Sequence, residues 1–412
     1  ADPVIILFKD RYYLFASHSS GYWHSSNLKD WTYVATKTLK AVEAWAPALL
    51  IYKDALYYLG MGEERIYRST APEADKWEEV KFDLQGLGDP AFFQDNDGRV
   101  YLYHGCSDWA PIKGVEVDPE NGFKKIGAEI DLIPHASDRL GWEVFGDKND
   151  QHDKKGWNEA PCITRQGDFY YLMYAAPGTE FTSYCTGVYV YTCMPGAPFA
   201  IKAGGFIKGA GHGHPFKDRY GNDWYVATIV VASKEHYERR IGIFPAFYKD
   251  GYAHAITEYM DFPFILPNKK VDFSQDQISA GMNLLSYNKQ MKASSSLDTH
   301  QAKMATDEDV RTWWSAASGK KGEWLQMDLG QPMDLSALQI SFSDEGFKTY
   351  RHDKNVPVYQ YIVEGSLNGT DWQLLADRSQ NTKDQIYELI VLDKKIKTQF
   401  VRIKNTKDFA TG

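Results

Sequence analysis

The chain of 412 residues carries a formal net charge of −9, with acidic and basic side chains interleaved, and 15% of it is aromatic, including 27 Tyr and 12 Trp. That length asks for two or three domains rather than one core. The mixed charge argues against a nucleic-acid partner, and no apolar stretch approaches the ~18 residues of a membrane span.

In chain order, one short phrase recurs five times: an apolar strand end, a polar turn, then an aromatic-rich strand. The first copy is Phe8-Lys9-Asp10-Arg11-Tyr12-Tyr13-Leu14 and the second is Tyr52-Lys53-Asp54-Ala55-Leu56-Tyr57-Tyr58-Leu59. The third turns at Asp95-Asn96-Asp97-Gly98, the fourth at Gly167-Asp168 and the fifth at Tyr220-Gly221-Asn222-Asp223. Asp, Asn and Gly tolerate the positive φ of tight hairpin turns, and alternating aromatic and aliphatic residues suit half-buried strands. Repeats at roughly 45 to 70 residues leave room for one four-stranded blade each. The pattern predicts a five-bladed β-propeller over residues 1–270.

Beyond about residue 255 the phrase stops. A polar linker is expected over 271–283, and from 284 to 412 short strands with turn signals predict an antiparallel β-sandwich. The four cysteines, Cys106, Cys162, Cys185 and Cys193, are too few for a disulfide framework and lack zinc-site spacing. Buried thiols and a single disulfide both stay open. Because the chain opens on Ala1 without Met or signal peptide, any targeting segment is expected to have been removed or to lie outside it.

Three acidic residues stand beside a small residue or Pro at the start of a blade: Ala1-Asp2-Pro3, Gly88-Asp89-Pro90 and Glu159-Ala160-Pro161. Innermost strands line a propeller's channel, so equivalent positions on different blades converge at one mouth. Three carboxyls gathered there raise the pKa of at least one. Glycosidic hydrolysis uses such a set, one protonated acid for the leaving oxygen and one ionised base for the attacking water. Taken singly, an Asp-Pro is more often a turn signal. Trp45 in Trp45-Ala46-Pro47 and Trp157 near Glu159 are candidate sugar platforms, with core packing as the alternative. The long polar segment Trp142 to Gly156 exceeds an inter-blade turn and is expected to wall the site.

At these residues the chain closely resembles glycoside hydrolase family 43. The resemblance rests on Asp2-Pro3-Val4-Ile5-Ile6 with Tyr12-Tyr13, Ser25-Ser26-Asn27-Leu28-Lys29-Asp30-Trp31, Trp45-Ala46-Pro47, and Asp89-Pro90 with Asp95-Asn96-Asp97-Gly98. It implies that Asp2 is the general base, that Glu159 is the general acid and that Asp89 orients and tunes the acid. An inverting mechanism follows from it, with the two outer carboxyls about 6.5–9.5 Å apart. Where relatives have Glu-Gly-Pro this chain has Glu159-Ala160-Pro161, a methyl expected to alter only local packing. By the same resemblance His212, in Gly209-Ala210-Gly211-His212-Gly213-His214, faces the channel and is the candidate ligand of a Ca2+ ion; an inward His without metal is the alternative. Arg239 lies where the family places an Arg near the acid, with an ordinary ion pair as the alternative. Only one of Arg239 and Arg240 can reach the site from a strand.

The second region resembles the coagulation factor 5/8 type C (discoidin) fold, a galactose-binding-like jelly roll that includes carbohydrate-binding module family 32. Its signatures are Thr312-Trp313-Trp314-Ser315, Trp324-Leu325-Gln326-Met327-Asp328-Leu329-Gly330 and Glu364-Gly365-Ser366-Leu367-Asn368-Gly369-Thr370-Asp371-Trp372. Since relatives end on a further strand, a missing C-terminal strand is expected. The resemblance implies a secreted, periplasmic or cell-surface exo-acting hydrolase of oligo- or polysaccharides, an α-L-arabinofuranosidase or β-D-xylosidase. Galactosidase or galactanase specificity and a catalytically inert glycan-binding propeller are the alternatives. Gly88 stands where fructoside-hydrolysing relatives carry Arg, which argues against that class.

Overall fold

The computed structural model describes the chain except residues 85, 155, 193–201, 208, 232–237, 258–262, 276–280, 310, 344–357, 384 and 409–412. The described residues form strands and short 3-10 turns, and no helix among them is long and apolar enough to cross a membrane. Two compact units separate, Ala1–Ser279 and Ala280–Gly412.

The first unit holds five antiparallel sheets that follow one another along the chain, a five-bladed propeller. Blade 1 comprises β1 (Val4–Phe8), β2 (Arg11–Phe15), β3 (Tyr22–Ser25) and β4 (Thr32–Val34). Blade 2 is β5 (Ala48–Tyr52), β6 (Ala55–Leu59), β7 (Arg65–Ala71) and β8 (Lys76–Lys81). In blade 3, β9 (Ala91–Gln94) and β10 (Val100–His104) are followed by the two-residue strand β11 (Cys106–Ser107), then β12 (Ile112–Asp118) and β13 (Lys124–Ile133). β11 leaves its own blade and pairs with blade 4, alongside β14 (Asn158–Gln166), β15 (Phe169–Ala176), β16 (Cys185–Tyr191) and β17 (Lys202–Ile207). Blade 5 is β18 (Gly211–Lys217), β19 (Asp223–Val230), β20 (Arg239–Lys249) and β21 (Tyr252–Ala255).

The recurring phrase is the hairpin that joins the first two strands of each blade. Phe8 pairs with Arg11 across Lys9 and Asp10, whose φ values of 48° and 60° are those of a two-residue primed turn. Each neighbouring pair of blades shares an apolar cluster. Between blades 5 and 1 the cluster joins Ile5 and Tyr12 to Phe216, Trp224 and Val226, and the tail adds Phe264, Leu266, Val271 and Phe273. Here Phe264 stacks on Trp224 at 5.8 Å and the Val271 amide donates to Asn222 Oδ1 at 2.8 Å. The start of the polar stretch at 271 thus belongs to the propeller's core, because Val271 and Phe273 alternate inward.

The second unit contains β22 (Gln290–Ala293), β23 (Trp324–Ser341), β24 (Tyr361–Ser366), β25 (Gln373–Asp377) and β26 (Tyr387–Asn405). Register shifts break the long β23–β26 pairing after Asp328 and after Leu335, and such shifts bend strands. One core draws on both stretches: Leu338, Ile340 and Ile390 meet Val363, Val401 and Ile403. The long pairing thus bends around one apolar core. Cys193, the residues 276–280 of the expected linker and the chain end at 409–412, where the missing strand is expected, lie outside the described residues.

Candidate active site

Five residues hold a left-handed backbone at the channel mouth, one per blade: Asp2 (φ 53°), Ala46 (46°), Asp89 (41°), Ala160 (55°) and His212 (42°). Pro follows four of them, and Asp2, Asp89, Ala160 and His212 line a single cavity with Pro3, Pro47, Pro90 and Pro161. The repeat position in blade 4 is therefore Ala160, and Glu159 stands one residue earlier, in register with Trp45. The three carboxyls are gathered, but they are not equivalent, which corrects the reading that places all three in one register. Because adjacent positions project to different sides, Glu159 turns away from the channel lining toward Cys106 and Tyr184. The left-handed backbone also changes the account of Ala160. Its methyl strains the backbone by about 1 kcal/mol while packing on Ala175, Tyr184 and Val230, so it affects more than packing.

Asp2 is 4% exposed. Its Oδ1 accepts from Arg239 Nη1 at 2.6 Å and its Oδ2 from Ser17 Oγ at 2.6 Å, while its own amide donates to Thr228 Oγ1 at 3.0 Å. Burial alone would raise its pKa, but His212, Arg239 and Ser17 together hold it well below the carboxylate range. His212 is itself driven down to about 4 by burial, so at neutral pH the lasting cation beside Asp2 is Arg239. Arg239 Nη1 also donates to Thr179 Oγ1 at 2.9 Å, whereas Arg240 turns to Glu238 at 3.5 Å.

Glu159 and Asp89 are the opposite case. Glu159 is 6% exposed and pushed up to about 7, chiefly by burial, with the Asp2 charge adding to it. Its Oε1 accepts from the Tyr184 hydroxyl, and its Oε2 lies 3.5 Å from Cys106 Sγ. Asp89 is raised well above its ordinary value by burial and by the charges of Glu159 and Asp2. Its Oδ2 accepts from the Ala160 amide at 3.2 Å. One channel mouth thus gathers a carboxyl held down, Asp2, and two pushed up, Asp89 and Glu159.

A model of glycosyl hydrolases family 43 matches residues 1–252, more than half of the 412-residue chain. The chain belongs to this family. An F5/8 type C domain model matches residues 290–411. Among solved structures, one titled "Glycoside hydrolase" aligns with a TM-score of 0.53 at 17% identity, covering 99% of this chain and 94% of its own. A thermostable family-43 glycoside hydrolase aligns at 0.51 and 20% identity, covering 62% of this chain and 92% of its own. At these identities the likeness is one of fold. No curated protein matches the chain. Membership makes the protein a glycoside hydrolase of an inverting family.

The other candidate residues lie around these carboxyls. Trp45 meets His18 edge-on at 3.9 Å and lies 5.8 Å from the Arg239 guanidinium, on the Asp2 side. Trp157 gives its indole N–H to Cys106 Sγ at 3.3 Å, on the Glu159 side. His212 Nδ1 is 3.4 Å from Asp2 Oδ1 and 3.7 Å from Asp89 Oδ2. Calcium takes six to eight oxygen ligands. Besides those two carboxyls the cavity offers prolines, Gly213 and the imidazoles of His212 and His214, a side-chain donor set that does not fit calcium.

The polar insertion does more than enlarge a loop. Phe145 packs on Phe181 at 5.3 Å, and Asp147 accepts from the Thr182 amide at 2.7 Å. The segment so braced, 177–184, delivers Thr179 to Arg239 and Tyr184 to Glu159. Gly156 is required here, since a Cβ would lie 1.7 Å from the Glu143 carbonyl oxygen. Sequence reasoning missed Ser17, Tyr184 and Cys106 as site residues. Each arrives from a strand end or loop with no local motif; Cys106 registered only as one of the cysteines, and among the described residues Cys106, Cys162 and Cys185 are free thiols.

Proposed function

We propose that the enzyme is an inverting, exo-acting hydrolase that removes α-L-arabinofuranosyl or β-D-xylosyl units from the side chains of plant-type polysaccharides. In this reading Asp2 is the general base, Glu159 the general acid and Asp89 the residue that orients and tunes Glu159. The observation that carries it is the set of partners around the gathered carboxyls, Arg239 and Ser17 on Asp2 and the buried Tyr184, Cys106 and Asp89 around Glu159, which holds Asp2 down and Glu159 up as the division of labour in an inverting hydrolysis requires.

Asp2 takes a proton from water as that water bonds to the anomeric carbon, and Glu159 gives its proton to the departing glycosidic oxygen. The grip of Arg239 makes Asp2 a weak base. That suits an oxocarbenium-like transition state, in which the attacking water becomes strongly acidic only as it bonds. Trp45, confined between His18 and Arg239, narrows the Asp2 side and supports exo action. A polymeric substrate places the reaction outside the cytoplasm, in a secreted, periplasmic or cell-surface enzyme.

A panel of nitrophenyl arabinofuranosides, xylosides and galactosides, with the product anomer followed by NMR, tests the assignment. Asp2→Asn and Glu159→Gln are each expected to lower kcat by about 10²-fold or more, with unchanged circular dichroism. Full activity in both variants would sink the assignment. Release of galactose alone would move the specificity, and saccharide binding without any release would favour an inert binding propeller.

A further inference from the structure

Cys106 occupies an unusual position. Through β11 it pairs directly with Glu159 across the blade 3–blade 4 boundary, and its Cβ closes on Gly88, where an added methyl would meet it at 2.9 Å. Its Sγ accepts from the Trp157 indole N–H at 3.3 Å and faces Glu159 Oε2 at 3.5 Å. Sγ, a carboxyl oxygen of Asp89 and one of Glu159 all lie within 4.8 Å of one another. With Tyr184 committed to Oε1, the proton to be delivered belongs on Oε2, the oxygen beside the sulfur.

We infer that Cys106 is a positioning residue for that proton. Its thiol fixes the carboxyl of Glu159 against Trp157, and, as a weak donor, it holds Oε2 without favouring the carboxylate as a hydroxyl would. A thiol is a poor hydrogen-bond donor and a hydroxyl a good one, and donors to a carboxylate stabilise its ionised form. Burial and the neighbouring Asp89 and Glu159 charges push the thiol's own ionisation far up, so Cys106 remains a donor throughout the working range. The other groups facing Glu159 are Asp89, Tyr184, Asp2 and Arg239, and substitution of Cys106 leaves them in place. Sulfur at this position holds the acid's carboxyl in place while taking less of its proton affinity than a hydroxyl would.

The inference rests on Glu159 being the acid, and the experiment separates the two. Wild type, Cys106→Ser, Cys106→Ala and Glu159→Gln are compared on an aryl glycoside with a good leaving group and on a disaccharide, across pH, with melting temperatures recorded. Cys106→Ser is expected to move the alkaline limb of kcat acidward by about half to one pH unit. It should also cut disaccharide turnover at pH 7.5 by about fivefold relative to aryl glycoside turnover. Cys106→Ala is expected to move the limb the other way. Coincident limbs and an unchanged leaving-group ratio in both variants would overturn the inference while Glu159→Gln stays inactive on the disaccharide. A Glu159→Gln enzyme as active as wild type on both substrates, or a wild type inactive on all glycosides, overturns the reading of Glu159 and this inference with it. Should Cys106→Ala fail to fold, Cys106→Ser and Trp157→Phe, which removes the indole N–H, give the same two readouts.

Discussion

Two buried carboxyls at one mouth are set apart by their surroundings: Arg239 and Ser17 hold Asp2 down, while burial and the Asp2 charge push Glu159 up against the pull of the Tyr184 hydroxyl. The sign of the pH dependence follows. As the proposed acid Glu159 must be protonated to act, so kcat is expected to fall as the pH rises through about 7. Asp2 must be ionised, and because it is held below its ordinary range, activity should persist well into acid. A kcat profile that keeps rising above pH ~9 would contradict this assignment. Tyr184→Phe removes one donor to Glu159 while leaving the ring in its place between Ala160 and Val230. The alkaline limb should then move upward by about half to one unit, measurable on any aryl glycoside that the enzyme cleaves.

At the scale of elements, the insertion of 142–156 and the segment 177–184 form one device that brings Thr179 and Tyr184 to the two carboxyls. Phe145→Ala removes the ring that packs on Phe181. It is expected to cost about 2–3 kcal/mol at most, yet to lower kcat about tenfold by loosening both residues. If activity falls only in proportion to the folded fraction, the insertion merely fills space. The hairpin phrases were legible because turn chemistry is local: Lys9-Asp10 and the glycines Gly98 and Gly221 announce their own positive φ. Asp2 and Asp89 were legible for a related reason, each preceding a Pro at a blade's start. The one-residue offset of Glu159 was written there too, in the Ala160 that separates it from Pro161 where Asp2 and Asp89 touch their Pro directly, but only the shared left-handed position at Ala160 gives that spacing its meaning. Tyr184 and Cys106 reach Glu159 through loop geometry and an inter-blade strand, neither of which leaves a periodic trace.

Across the whole molecule, the five inter-blade clusters and every catalytic candidate fall within Ala1–Ser279. A chain ending at residue 279 is expected to fold and to cleave aryl glycosides at close to the full-length rate. A large loss on polymeric substrate alone would assign glycan capture to the discoidin-type unit, and equal loss on both substrates would contradict its independence. Blades 3 and 4 are stitched by β11, whereas blades 5 and 1 meet through side chains: the Arg219 amide donates to the Tyr12 hydroxyl at 2.8 Å, and Arg219 Nη2 to the Asp10 carbonyl at 2.7 Å. Asp2 sits on that second boundary, gripped by an arginine 237 residues downstream. During synthesis Asp2 waits for nearly the entire propeller before its guanidinium partner exists. A nascent chain with four finished blades therefore holds an Asp2 without its grip, which forms only when the last blade reaches the first.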